Sequence, residues 1–183
     1  MHPAFLYVPG RRLSPAELSA ARIDGHVIDL GEAYVPADLV ETAVVRAGTL
    51  SAIVRPGTAA SGPTAAWIHG AGDTPPSVHH VKRSTDRRLR PQTSARLVFH
   101  DALLVASDLQ LIGGIAVSTP LRTLVDLATT LHRDPRVLPW MDQLARVFPG
   151  LASEAADSLG TLRRVPGSRV GLAALERLAV RTM

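Results

Sequence analysis

The stretch Ile115–Leu131, IAVSTPLRTLVDLATTL, is where the chain changes its hydrophobic period. Ile115 to Val117 reads as the last of a run of strands. Thr119-Pro120 then opens a helix whose apolar positions, Leu121, Leu124, Val125, Ala128 and Leu131, recur at helical spacing. Upstream, Val105 to Ile112 extends the same sheet, with Gly113-Gly114 as the turn between the two strands. Val78 to Arg83 and Arg96 to His100 are also strand-like, and a polar, basic loop from Ser84 to Ser94 joins them. Downstream, helices are expected over Arg136 to Val147, Leu151 to Leu162 and Gly171 to Val180, punctuated by Pro149-Gly150 and Pro166-Gly167. Strands first and helices afterwards predict an α+β fold, a small mixed or antiparallel sheet with packed helices and a helical C-terminal part.

Signals nearer the N-terminus are more local. The first ten residues read as a flexible lead-in. In Ser14-Pro15-Ala16-Glu17, Ser14 can cap, Pro15 suits the first helical position and Glu17 can close a capping box, so a short helix is expected to run to Asp24-Gly25. His26 to Leu30 and Ala33 to Val35 form a hairpin pattern around Gly31-Glu32. Glu41 to Leu50 has helical character, and Ala52 to Val54 reads as a short strand before Pro56-Gly57. Ser61-Gly62-Pro63 opens a second compact helix, Thr64 to His69, closed by Gly70. The chain has no internal repeat and no long linker. Residues 1–135 are therefore read as an α+β core with a short lead-in, and 136–183 as the helical part of the same domain.

At 183 residues the chain is long enough to bury a sizeable core without a metal or a disulfide. It has no cysteine, which removes disulfides, thiolate nucleophiles and cysteine-ligated metal sites. No stretch approaches the roughly 18 apolar residues of a membrane helix, and the N-terminus lacks the pattern of a signal peptide. A cytoplasmic protein with no membrane association is the expectation. The formal charge is +4, and the basic residues are nineteen arginines and Lys82. Arginine forks suit carboxylates and phosphates alike, so the bias fits an acidic protein partner, a nucleic acid, or simply a GC-rich genome.

Catalytic patterns are missing. His79 and His80 are adjacent in a strand and point to opposite faces, which keeps them from sharing a metal. There is no helical pair of histidines at i, i+4, no Walker motif, no dinucleotide fingerprint and no nucleophile elbow. A restriction-type nuclease needs Glu-x-Lys, and Lys82 is preceded by His80-Val81. The expectation is a binding protein, not an enzyme, with no catalytic residues, no metal and no cofactor. Lys82, Arg83, Arg87, Arg88 and Arg90 place five positive charges within nine residues. As a loop they can engage phosphates or an acidic protein groove, or form a solvated hairpin. Arg163-Arg164 is a further candidate contact, or a charged helix end. After Ser14 to Arg22 the chain turns strand-like, so a helix-turn-helix is at most vestigial.

Three segments together carry a resemblance. They are Thr64-Ala65-Ala66-Trp67-Ile68-His69-Gly70, then Pro75-Pro76 with Val78-His79-His80-Val81, and finally Val117 to Leu127, including Thr119, Pro120, Arg122, Thr123 and Asp126. With Asp24-Gly25, Tyr34-Val35-Pro36 and Arg46-Ala47 upstream, the chain resembles the actinobacterial AbiEi-like antitoxins over roughly residues 10 to 135. The resemblance implies an antitoxin whose protein partner is a nucleotidyltransferase toxin, bound directly. Many members of that family also repress their own operon through an N-terminal winged helix, which makes DNA-binding autorepression the alternative. For the motif residues Trp67, His69, Gly70, Thr119, Pro120, Arg122, Thr123 and Asp126 the expected role is maintenance of the fold. Trp67 is expected in the core, and Arg122 with Asp126 at i, i+4 on one helix face, or Arg122 pinned to sheet carbonyls. The basic residues are the expected contact surface.

Overall fold

The computed structural model describes residues 5–90, 94–162 and 165–182. Helix α1 (Pro15–Ile23) starts as its sequence dictates. Ser14 Oγ accepts from the Glu17 N–H, and the Glu17 carboxylate accepts from the Ser14 N–H at 2.7 Å. The hairpin of β1 (Val27–Leu30) and β2 (Ala33–Pro36) follows. Tyr7 joins its edge, exchanging two backbone bonds with Tyr34, so the lead-in is tied to the hairpin at that residue.

After α2 (Ala43–Thr49), the stretch expected as a strand at Ala52 to Val54 is a turn. The Leu50 carbonyl accepts from both Ile53 and Val54, which folds the chain back and buries Leu50 and Val54 together. The strand lies further on, at β3 (Thr58–Ala60). It leads into α3 (Gly62–Ile68), after which β4 (His79–Arg83), β5 (Leu97–Leu103), β6 (Leu109–Ile112) and β7 (Ile115–Ser118) complete a five-stranded mixed sheet in the order β5-β4-β3-β7-β6. Short, alanine-rich β3 is its centre, antiparallel to β4 and parallel to β7. The β6–β7 hairpin turns through Gly113 and Gly114, whose φ angles of 59° and 84° suit glycine at both central positions of a tight primed turn. The strand expected from Val105 begins only at Leu109, because Ala106–Asp108 forms a 3-10 turn.

Strands β4 and β5 pair in parallel, with His79 opposite Leu97 and Lys82 opposite His100. The basic connection between them is therefore a crossover and not a hairpin, as parallel strands require. Its Leu89 lies beside Val81, Leu97 and Phe99 on one face of the sheet. That face belongs to a core of Leu50, Val54, Trp67, Ile68, Val81 and Val117. The opposite face carries His80, Lys82 and His100 and meets α4 (Pro120–Thr130). Helices α4, α5 (Leu138–Val147), α6 (Leu151–Thr161) and α7 (Ser168–Thr182) bury a second core around Leu124, Leu127, Met141, Leu144, Leu159 and Leu175. Helix α3 faces both cores, giving Trp67 and Ile68 to the first and Ala66 to the second, and Trp140 packs against each. The architecture is α+β, with the helices gathered in the C-terminal part.

Candidate functional site

The strand-to-helix junction at Ser118–Asp126 is held by an alternating chain of charges. Thr119 Oγ1 caps α4 by accepting from the Arg122 N–H, and Pro120 occupies the first turn, where its missing N–H costs nothing. Arg122 then bonds two carboxylates, Asp108 at 2.9 Å and Asp126 at 3.0 Å, so it is the i, i+4 pair that forms and not a contact with sheet carbonyls. Asp126 in turn takes the Lys82 ammonium at 2.5 Å, with the two side chains only 12% and 13% exposed. The chain Asp108–Arg122–Asp126–Lys82 ties the 3-10 turn, α4 and β4 together with no net charge. Ser118 and Thr123 add a buried hydroxyl pair at 2.7 Å.

A second set of anchors surrounds α3. Arg46, on α2, is buried and sends Nη1 to the Trp67 carbonyl at 2.6 Å and the Gly72 carbonyl at 2.8 Å, while Nε meets Glu41. Its guanidinium also lies over the Trp67 ring, 5.3 Å from the centroid. Trp67 is fully buried. His69 Nε2 donates to the Ser118 carbonyl at 2.7 Å, which fixes the tautomer and leaves Nδ1 to accept from Gln110. Burial holds His69 below its ordinary range, opposed by that carbonyl. Gly70 closes α3 at φ 101°, a conformation that disfavours any side chain. These motif positions are occupied with internal contacts.

The imidazoles of His80 and His100 stack at 5.2 Å, with His80 Nδ1 and His100 Nε2 3.0 Å apart in a shared hydrogen bond. Burial, first, and then the His100 imidazole push His80 down to about 4, and burial, then Lys82, lowers His100. On the other face of β4, His79 is fully buried, and burial, then Arg96 and His80, lower it to about 4. Among the described residues no group of three or more histidines and carboxylates is placed to hold a metal.

The basic candidates divide. Lys82 does not share the exposure expected of it, since its strand turns it inward onto Asp126. Arg83 is held at the start of the crossover by the Asp101 carboxylate at 3.1 Å and by the carbonyls of Thr85 and Asp86. Arg87, Arg88 and Arg90 are exposed, and none forms an ion pair among the described residues. Arg163 and Arg164 lie outside the described residues.

The sequence pattern of the AbiEi antitoxin C-terminal domain matches residues 58–178, about two thirds of the chain. The chain belongs to this family. It is an antitoxin of a toxin–antitoxin system. The match to the AbiEi domain starts at β3 and runs into α7, further along the chain than the motifs alone placed it. No curated protein matches the chain. Among solved structures, the crystal structure of the RV2827C protein from Mycobacterium tuberculosis is similar over 94% of this chain and 71% of that one, at 16% identity and a TM-score of 0.44.

Within the AbiEi domain lie the whole of the five-stranded sheet, the four-charge chain and the crossover arginines. Arg46 lies before it, reaching in from α2 to clamp α3. Sequence reasoning assigned Asp108, His100 and Glu41 no role. Arg46 is the single charged residue of Ala43–Thr49, and that was its available signal. Asp108 and His100 had none, because their partners are 14 and 20 residues away along the chain. No helix among the described residues is long and apolar enough to cross a membrane.

Proposed function

We propose that this antitoxin neutralises a nucleotidyltransferase toxin by docking on it directly, with the crossover arginines Arg87, Arg88 and Arg90 meeting the acidic site where such a toxin holds its magnesium. The observation that carries this reading is their exposure together with the absence of ion pairs to them among the described residues, on a segment tethered at one side by Arg83. Arginine is well matched to carboxylates, through two parallel hydrogen bonds per pair. Charges of this kind steer association and set its salt dependence, while apolar contacts beside them supply most of the holding energy. Occlusion of the metal site would stop nucleotide transfer without any chemistry by the antitoxin.

The test is co-expression with the product of the adjacent gene, followed by mass measurement of the complex and assay of nucleotide transfer. A stable complex with transfer abolished is expected. Replacing Arg87, Arg88 and Arg90 by glutamate should weaken neutralisation at unchanged melting temperature. Growth rescue without any complex would refute direct binding, and a shift of the operon's own promoter at controlled salt would favour the autorepressor instead.

A further inference from the structure

The stacked histidines open onto a cleft of about 400 Å³ between the His80–Lys82–His100 face of the sheet, the start of α3 and the end of α4. That volume lies within the range of small-molecule sites, roughly 300–1,000 Å³. Lys82 and His100 line one wall, and Arg133 stands at the cleft, exposed and without an ion pair among the described residues. Ser61 lines it too, at the start of α3. Its hydroxyl is buried, with the residue 1% exposed, and it has no hydrogen-bond partner among the described residues. A buried hydroxyl without a partner is costly, and a ligand atom in the cleft would supply one.

We propose that this cleft binds a phosphoryl anion, held by Arg133, the His80–His100 pair, the free N–H groups of Lys82 and the Ser61 hydroxyl. The sign of the ligand follows from the local charges. Asp126, the carboxylate nearest Lys82, is matched by two cations, Lys82 and Arg122. Asp134 at the rim is taken by Arg136. Arg133 is then the uncompensated charge, and it repels a metal ion as it attracts an oxyanion. Two imidazoles add capacity. Burial and the His100 imidazole disfavour a proton on His80, and burial and Lys82 disfavour one on His100. An anion reverses that balance, so the pair should take up a proton as the ligand enters. The charged groups acting on that pair are Lys82, Asp126, Arg133, Asp134 and Arg136. Such a phosphoryl group can belong to a free nucleotide or to the backbone of a nucleic acid.

Isothermal titration of the full chain at pH 6 with inorganic phosphate, with ATP and with a short DNA duplex tests this, using two buffers of different ionisation enthalpy. Histidine ring signals are followed by NMR in parallel. Saturable binding is expected, with proton uptake and with His80 and His100 the rings that move. Arg133→Ala, an exposed change that leaves the fold intact, should weaken binding about tenfold. His100→Phe should remove the proton uptake. Saturation by phosphate or ATP identifies a free phosphoryl ligand; saturation by the duplex alone assigns the group to a nucleic-acid backbone. No saturation by any of the three, or binding unaltered in both variants, overturns the proposal. None of these outcomes depends on how the toxin is bound.

Discussion

Removing the Arg46 side chain should cost about 3–5 kcal/mol, more than any surface ion pair in this protein could account for. The bonds around it say where that loss falls. The Trp67 carbonyl keeps the Gly70 N–H as a second donor, so it is not left bare. The Gly72 carbonyl loses its Arg46 donor. A partly buried carbonyl stripped of its donor costs about 1–3 kcal/mol. Glu41, 32% exposed, can turn to water and contributes little. The remainder is the void left by the buried stem and the contact with the Trp67 ring. Urea unfolding of Arg46→Ala, followed by circular dichroism, should show this loss at unchanged m-value, with a melting temperature lower by about 10 °C. Arg46→Lys should recover only part, because one ammonium cannot reproduce the fork across two carbonyls and a carboxylate. Glu41→Gln should cost no more than about 1 kcal/mol. A loss below about 1 kcal/mol for Arg46→Ala, or an equal loss for Glu41→Gln, would show that the carbonyl clamp is not what joins α2 to α3.

Trp67→Ala is expected to cost about 3–5 kcal/mol, and Trp67→Phe distinctly less, because the buried indole N–H has no partner to lose among the described residues; equal losses in calorimetry would refute this. Acid should destabilise the fold between about pH 6.5 and 4. The unfolded His79 imidazole binds a proton near 6.5, whereas the folded one resists until about 4, so protons favour the unfolded chain across that window. A urea midpoint that stays level from pH 7 to pH 5 would count against neutral burial. Lys82→Met leaves Asp126 with only Arg122, and adding Asp126→Asn should restore part of the loss. A double-mutant cycle is expected to give a coupling of about 1–3 kcal/mol, and purely additive losses would argue against the pair.

Much of the candidate site was legible because its signals are short-range. Thr119-Pro120 at a helix start and Arg122 with Asp126 one turn apart are patterns of neighbouring residues, and they formed as read. The inward turn of Lys82 was not legible, for a physical reason. Its orientation depends on which face of β4 meets α4, a question that a strand's two-residue period leaves open until its neighbours are known. The hairpin alternative for the basic segment stayed open on the same ground, since parallel and antiparallel pairing look alike from one strand.

By itself the sequence determined the elements whose stabilising bonds close within a few residues: the Ser14–Glu17 capping box, the turn at Gly113-Gly114, and the apolar stripe of α4. It also determined the change from strands to helices that sets the fold class. Tertiary structure decided that Thr58–Ala60, with two small alanines and no strand periodicity, is the middle of the sheet. It also brought His80 to His100 and Arg46 to Gly72. Those contacts join residues 20 and 26 positions apart, so they exist only once the hydrophobic cores have set the strand order and closed the loops between them.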